Sequence, residues 1–192
     1  MADGGGGGDS TPEAASALGA RVIAAPCGRG QQLQAGIARA REEWLLLLHA
    51  DTRLDPGWRA AAGAHMRDHP GAAGYFRFAL DSADPRARRL ERLVAWRCRV
   101  LALPYGDQGL LIHRETLAGA GGMNPLPVME DVDLIRRLRR HGVPLLRLDA
   151  RAVTSAAKWE RDGWRGRSTR NLICLSLWFL GAPPARIAKL YT

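Results

Sequence analysis

Short apolar runs alternate along the chain with longer stretches in which apolar residues recur at helical spacing. Residues 43–48 are the strongest run, since Trp44 and four leucines follow one another as in a strand buried on both faces. Residues 131–141 are the strongest helical stretch, with leucine and isoleucine on one side and arginine on the other. Further strands are predicted at 21–25, 73–80, 108–113 and 144–148, and further helices at 12–20, 30–43, 55–69, 84–101 and 114–120.

This alternation of strands and helices predicts an α/β fold with a sheet between layers of helices. Beyond Lys158 the pattern predicts a helical tail, so we expect an α/β domain at 1–157 and a helical appendage at 158–192. Residues 4–8 are all glycine and predict a flexible loop. The composition of the 192 residues, 46% hydrophobic and 24% charged, excludes wholesale disorder and a collagen-like repeat.

The chain is strongly basic, with 28 Lys and Arg against 19 Asp and Glu and a formal net charge of +9. Such a charge favours an anionic partner, and nucleic acid, anionic lipid and nucleotide diphosphates all satisfy it. The arginines lie mostly in predicted helices, where charge is usually a solvated face. The sequence has no zinc-ligand spacing, helix-turn-helix pattern or platform of interleaved aromatic residues, so we expect no nucleic-acid partner.

The sequence shows neither a secretory signal nor a membrane-spanning stretch. Its longest apolar segment, 172–180, falls short of the roughly 20 apolar residues that cross a bilayer. Its three widely spaced cysteines have no metal-ligand pattern and are typical of reduced thiols. These features predict a cytoplasmic protein.

Polar side chains follow the apolar run directly, at His49-Ala50-Asp51. In open α/β sheets ligands bind at the carboxyl ends of the strands, and alternate residues of an extended segment point the same way. An imidazole at 49 and a carboxylate at 51 can therefore face one ion, and such a pair suits Mn²⁺ or Mg²⁺. Alternatively, Asp51 caps a turn, and the tripeptide alone favours that interpretation.

Two further motifs carry candidate chemistry. Glu130, Asp131 and Asp133 lie at a predicted helix start, where the helix dipole already favours negative charge, although one of them could serve as a general base. Gly28-Arg29-Gly30 precedes another predicted helix and suits phosphate, because it combines free N–H groups with a guanidinium group. The carboxylates alone favour the helix-cap interpretation, and Gly28-Arg29-Gly30 lacks the full spacing of a phosphate-binding loop.

Taken in order along the chain, these motifs resemble those of the family two glycosyltransferases. The nucleotide-binding half of that family is similar to residues 3–5, 28–30, 34–36 and 48–52, and its acceptor half to residues 106–109, 121–122 and 129–138. The His-Ala-Asp-Thr and Gly-Asp-Gln-Gly signatures, with Lys158-Trp159-Glu160, are similar to a bacterial subfamily associated with arsenosugar biosynthesis. The likeness covers nearly the whole chain and is most specific at 48–52 and around Glu130-Asp131.

The resemblance implies a GT-A fold, with a mixed and mostly parallel sheet between helices. It also implies a metal-assisted, inverting transfer of a sugar from a nucleotide-diphosphate donor to a hydroxyl acceptor. On the donor side, Asp51 with His49 would bind Mn²⁺ or Mg²⁺ at the diphosphate. Asp3 would contact the nucleobase, and Arg29 would lie near the nucleotide.

On the acceptor side, the resemblance makes Asp131 the catalytic base and places Glu130 beside it, shaping the acceptor site. Asp107 and Gln108 would also lie on this side. The metal would stabilise charge on the leaving diphosphate while the base activates the hydroxyl from the opposite face of the sugar.

One departure from the family concerns the start of the chain. Family members begin with a buried strand upstream of the Asp-Gly-Gly segment, whereas this sequence begins at Met1-Ala2-Asp3. We therefore expect an N-terminally truncated domain that binds nucleotide sugar weakly. The alternative function is that of a degenerate relative that binds a nucleotide or a partner without turnover.

The tail at 171–190 has two interpretations: a helix packed on the domain or a helix at a membrane surface. Trp178 and Phe179 accompany cationic residues, a combination that suits an anionic lipid interface; these residues are Arg165, Arg167 and Arg170. The second interpretation predicts a protein peripheral to the inner membrane, where it would meet a lipid-linked acceptor.

Overall fold

The computed structural model describes residues 1–5 and 10–191, so residues 6–8 of the predicted glycine loop lie outside it. The strands are β1 (Ala2–Asp3), β2 (Ile23–Ala24), β3 (Trp44–Leu47), β4 (Thr52–Leu54), β5 (Ala73–Leu80), β6 (Leu110–His113) and β7 (Leu145–Thr154). The helices are α1 (Thr11–Ala17), α2 (Arg29–Arg39), α3 (Trp58–Asp68), α4 (Pro85–Leu101), α5 (Arg114–Gly119), α6 (Glu130–Arg140), α7 (Ala157–Asp162), α8 (Trp164–Phe179) and α9 (Pro184–Tyr191). A 3₁₀ turn spans Gly106–Gln108.

The main sheet is mixed, with the strand order β3-β6-β5-β7-β4. Only β5 and β7 run parallel, whereas β3 with β6, β5 with β6, and β4 with β7 are antiparallel. The expectation of a mostly parallel sheet is therefore wrong. β1 and β2 form a separate, parallel two-stranded sheet in which Ala2 pairs with Ile23 and Asp3 with Ala24.

Several elements fall where the apolar pattern places them. The strand predicted at 73–80 is confirmed residue for residue, and α6 matches its prediction to within one residue at each end. The strand predicted at 108–113 starts later, because the 3₁₀ turn ends at Gly109, whose φ of 62° is a conformation that favours glycine. The segment 43–48 forms an edge strand in which only Leu45 is buried, so its prediction as a doubly buried strand is wrong.

Helices cover both faces of the main sheet, as predicted. On one face α2, α5 and α6 pack through an apolar cluster that includes Leu117, Leu134 and Leu138. On the other face α3 packs over Phe76 and Ala152, both of which are fully buried. The sheet thus lies between layers of helices. The carboxyl end of β3 lies near the start of α6.

The segment beyond Lys158 is helical, as predicted, and shares its apolar clusters with the rest of the chain. Trp159 and Trp164 pack with β5 and α4, whereas Cys174 and Ile187 pack against Val132 near the start of α6. None of the helices in the described ranges combines the length and apolar character needed to cross a membrane. The boundary between 157 and 158 stays a prediction.

Gly30, in the first turn of α2, lies where a side chain would meet backbone. A Cβ atom there would be 2.6 Å from the carbonyl oxygen of Leu126 and 2.7 Å from that of Asn124. We expect Gly30→Ala to lower the free energy of unfolding by about 1–3 kcal/mol, since backbone must move to accept it. Urea unfolding at equilibrium measures this change.

Gly36, in the same helix, provides the matched control. A Cβ atom at this position would make an ordinary contact of 3.9 Å with Ala2. We expect Gly36→Ala to leave stability unchanged or to raise it by about 0.5–1 kcal/mol, the usual advantage of alanine within a helix. Equal losses of stability in the two variants would contradict this account of Gly30.

Candidate functional site

The start of α6 has an unusual backbone. Met129 precedes the helix with φ 64° and ψ 18°, and within the described ranges only it and Ala102 are non-glycine residues with positive φ. Met129 is buried in an apolar cluster with Val128 and Ile187, which holds this conformation in place. Such strained residues concentrate at functional sites, where the surrounding packing overdetermines them.

The Asp131 carboxylate is fixed by two backbone hydrogen bonds. Its Oδ2 accepts from the amide of Gly106 at 2.7 Å, and its Oδ1 accepts from the amide of Val132 at 2.8 Å. A Cβ atom on Gly106 would overlap the His49 imidazole and lie 3.2 Å from Asp131 Oδ2, so glycine allows the three segments to meet. The end of β3, the 3₁₀ turn and α6 therefore converge at Asp131.

A small, mainly apolar cavity of about 30 Å³ lies at this junction. His49, Gly106 and Asp131 line it together with Tyr105 and Leu134. Its volume is that of about one water molecule, so a larger ligand would have to lie on the open side of these residues.

Arg29, at the start of α2, links two parts of the site. Its Nη2 lies 3.2 Å from His49 Nδ1, and its Nε lies 3.4 Å from Glu130 Oε1. The guanidinium carbon is 6.0 Å from the ring centre of Tyr191. Burial opposes the charge, but Glu130, Tyr191 and Asp131 together raise the pKa of Arg29, which keeps it cationic.

The His49 ring is neutral in this setting. Burial, together with the adjacent charge of Arg29, lowers its pKa to about 4, although Asp131 and Asp51 act in the opposite direction. The neutral ring can accept a hydrogen bond from Arg29, and it is also the form that binds metals. Both carboxylates are therefore near enough to His49 to affect its protonation.

Glu130 is fully buried next to Asp131. Neither of its carboxylate oxygens accepts a hydrogen bond from the described residues, although Arg29 forms the ion pair with one of them. Burial and the charge of Asp131 raise the pKa of Glu130 to about 7, against the influence of Arg29. The neutral acid is therefore more favoured at Glu130 than at an exposed glutamate.

Asp51 is paired with a residue from the tail. Its Oδ2 accepts a hydrogen bond from Lys158 Nζ at 2.8 Å, and about a third of the Asp51 side chain is exposed. Desolvation favours the neutral acid, but the bond to Lys158 and its charge lower the pKa of Asp51 overall. Lys158 thus places a cation where the sequence predicts a metal.

Asp107 and Gln108 lie in the 3₁₀ turn. The Asp107 Oδ1 atom is buried without a hydrogen-bond partner among the described residues, and burial raises the pKa of this side chain to about 6. The amide of Gln108 is 2% exposed, donates to the carbonyl of Phe76 and accepts from the amide of Tyr105. Gln108 therefore holds the turn against β5, and its acceptor-side role stays a prediction.

Asp3 lies apart from these contacts, on β1. Its Oδ2 accepts from the amide of Gly5 at 3.1 Å, and Gln32 of α2 donates to the Ala2 carbonyl at 3.4 Å. β1 is thereby held beside the first turns of α2, the helix that begins with Arg29. The nucleobase contact of Asp3 stays a prediction.

The structure brings together Arg29, His49, Glu130 and Asp131. Asp51 is near enough to affect the protonation of His49. Within residues 1–5 and 10–191 there is no group of three or more His, Cys, Asp or Glu arranged to hold a metal ion. Lys158 and Tyr191 are the contributions that sequence reasoning missed, because each lies more than 100 residues from its partner. The Lys158-Trp159-Glu160 motif marks the segment but not its contact with Asp51.

No protein-family model matches the chain, and no curated protein is similar to it in sequence. Its fold is similar to that of a mycobacterial protein of known crystal structure, with 20% identity over 93% of this chain and 63% of that one and a TM-score of 0.55. It is also similar to glucosyl-3-phosphoglycerate synthase from Mycobacterium tuberculosis, crystallised with Mn²⁺, uridine diphosphate and phosphoglyceric acid. Here identity is 17% over 93% of this chain and 66% of that one, with a TM-score of 0.56.

The chain thus spans slightly less than two thirds of the length of these structures. At such identities the likeness concerns the fold. The predicted α/β class is confirmed, and the fold resembles that of the glucosyl-3-phosphoglycerate synthase.

Proposed function

We propose that the chain is a glycosyltransferase that moves a sugar from a nucleotide-diphosphate donor to a hydroxyl acceptor with inversion. The observation that carries this proposal is the fixed Asp131 carboxylate beside the Arg29–His49–Glu130 group. It lies in a fold similar to that of an enzyme crystallised with uridine diphosphate. The arsenosugar-associated subfamily is a finer proposal that depends on the sequence motifs alone.

The donor side carries two cations on different elements. Arg29 at the start of α2 contacts His49, and Lys158 near the start of α7 contacts Asp51, so a diphosphate beside His49 and Asp51 would meet positive charge from both elements. The eleven-residue helix α2 has no acidic residue in its first turn and no side-chain hydrogen bond at its cap, so its dipole there favours an anion. Asp3 on β1 would contact the base of the same nucleotide.

A divalent cation fits this side only when the diphosphate supplies further ligands. Asp51 is held ionised and His49 neutral, the forms that bind metals, but Lys158 and Arg29 already contact them. Magnesium is commonly held by one or two carboxylates together with substrate phosphates, and Asp51 matches that arrangement. The bound Mn²⁺ or Mg²⁺ would stabilise the charge of the leaving diphosphate.

On the acceptor side Asp131 would take the proton of the attacking hydroxyl group. The hydroxyl oxygen bonds to the anomeric carbon as the bond from that carbon to the diphosphate breaks, and the proton moves to an Asp131 carboxylate oxygen. Attack from the face opposite the diphosphate inverts the configuration. Glu130 would shape the acceptor site beside Asp131, and Asp107 would lie on the acceptor side. We propose a lipid-linked hydroxyl compound as the acceptor. The cytoplasmic location of the chain stays a prediction.

The second candidate function is nucleotide or partner binding without turnover. The specific observations in its favour are the Asp51–Lys158 pair, which neutralises the predicted metal ligand, and the cavity of about 30 Å³ between His49 and Asp131. Nucleotide binding under either function would place an anion near Arg29, and only the first function requires chemistry at Asp131.

Nucleoside diphosphate binding tests the donor side. We expect Mn²⁺ to strengthen the binding of uridine diphosphate to the wild-type chain, and Asp51→Asn to weaken Mn²⁺-dependent binding by about tenfold, as the loss of one ion contact would. Titration calorimetry with and without Mn²⁺ measures both. Asp149→Asn is the control, because the Asp149 side chain is 95% exposed, with Arg77 3.7 Å away. Equal enhancement by Mn²⁺ in Asp51→Asn and the wild type would remove Asp51 as a ligand.

A further inference from the structure

Helix α4 exposes a stripe of large apolar side chains. Leu93, Trp96 and Val100 are 64%, 54% and 55% exposed, and their spacing places them on one side of the helix. The opposite side is buried through Val94 and Cys98. No element in the described part of the chain covers the side of α4 that carries Leu93, Trp96 and Val100.

A second exposed apolar region lies at the end of α8. Phe179 and Leu180 are 47% and 83% exposed, and Leu172, two turns earlier, is 63% exposed. The same helix buries Cys174 against the start of α6. The exposed side of α8 therefore carries large apolar residues, whereas its opposite side packs against the start of α6.

Two arginines of α6 connect these regions. Arg139 Nη1 donates to the carbonyl of Leu101 at 2.9 Å, and the Arg136 guanidinium lies 5.1 Å from the ring centre of Phe179. Because Arg136 and Arg139 are three residues apart, they lie on the same side of α6. We name the surface of Trp96, Val100, Leu101, Arg136, Arg139 and Phe179 the arginine-bridged surface.

Charge indicates what this surface binds. Arg92 and Arg99 are exposed on α4 beside Trp96, and the whole chain carries a net charge of +9. A second copy of the chain would bring like charges together, whereas an anionic bilayer offers both an apolar interior and negative headgroups. Tryptophan and arginine suit that boundary, since each combines an apolar body with a polar end.

We propose that the arginine-bridged surface binds the surface of a bilayer containing anionic phospholipid. The apolar side chains of α4 and α8 would enter the boundary between headgroups and acyl chains, and the arginines would contact the phosphates. This proposal concerns the surface and does not depend on the proposed transfer reaction.

Co-sedimentation with vesicles tests the proposal on the full chain. We expect binding to vesicles of phosphatidylcholine with phosphatidylglycerol, weakened by salt, and little binding to phosphatidylcholine alone. Trp96→Gln/Val100→Gln and Arg136→Gln/Arg139→Gln should each reduce the partition coefficient by about tenfold. The control is Leu18→Gln, because Leu18 is 89% exposed and lies next to α1, outside this surface.

Three outcomes would overturn the proposal. The first is no binding to vesicles of either composition by a folded wild-type chain. The second is binding that both double variants retain in full. The third is a concentration-dependent dimer in sedimentation velocity that Trp96→Gln/Val100→Gln abolishes while vesicle binding persists, since the surface would then bind a second copy. Circular dichroism of each variant verifies that the fold is intact.

Discussion

Asp131→Asn is expected to lower kcat by about 10²–10⁴-fold, the usual effect of removing a general base. The amide cannot take the proton of the acceptor hydroxyl group, yet it has nearly the shape of the carboxylate. The affinity for nucleoside diphosphate should stay within about twofold of the wild type, because the donor contacts that we propose come from other residues. Transfer from a nucleotide-sugar donor, with kcat and KM measured separately, distinguishes these two effects.

The same substitution also has a structural consequence. Asp131 accepts hydrogen bonds from the amides of Gly106 and Val132 on separate oxygens, and an asparagine keeps only one of those acceptors. A modest loss of stability, about 1 kcal/mol, should therefore accompany the loss of rate. Asp149→Asn, on the exposed side of β7, should change neither quantity. Turnover by Asp131→Asn at the wild-type rate would remove Asp131 as the base, whereas nucleotide binding by a wild-type chain without turnover would favour the second candidate function.

Much of the fold follows from local patterns. The helix α6 is predictable because its apolar residues repeat with the helical period, and the strand at 73–80 because it is a short, nearly continuous run of apolar and aromatic residues. The three-residue strand β4 gives no such signal and was not predicted. Strand direction could not be predicted from the pattern either, because it depends on which strands pair. The length of β7 could not be predicted for the same reason, since this strand extends to Thr154 by pairing with both β5 and β4.

In the candidate site, too, local sequence features could be predicted and long-range contacts could not. Its motif residues could be found from sequence, because polar residues follow an apolar run at His49 and open a helix at Asp131. Their partners could not, since the bond between Asp51 and Lys158 joins residues 107 positions apart. The exposure of Leu93 was likewise hidden, because helical periodicity shows that a side is apolar but not whether a neighbouring element covers it.

Glu130→Gln is expected to flatten the dependence of stability on pH. The folded-state pKa of Glu130 is raised to about 7 from its ordinary value of 4.5, so between these values the folded chain binds more protons than the unfolded chain. Stability from this group is therefore fully present below about pH 4.5 and declines as the pH rises through 7. A shift of this size corresponds to about 3 kcal/mol at most.

Urea unfolding at about pH 5 and about pH 8 measures this difference. The stability that Glu130 contributes should be lost between these values in the wild-type chain, whereas Glu130→Gln should lack this loss because its amide stays neutral at both. The pH dependence that remains in the variant should combine Asp107, whose pKa is raised to about 6 and which acts with the same sign, with His49, whose pKa is lowered to about 4 and which acts with the opposite sign. Glu115→Gln is the control, as Glu115 is exposed on α5. An identical pH dependence in Glu130→Gln and the wild type would mean that Arg29, 3.4 Å away, keeps the Glu130 carboxylate ionised in the folded chain and that burial does not dominate.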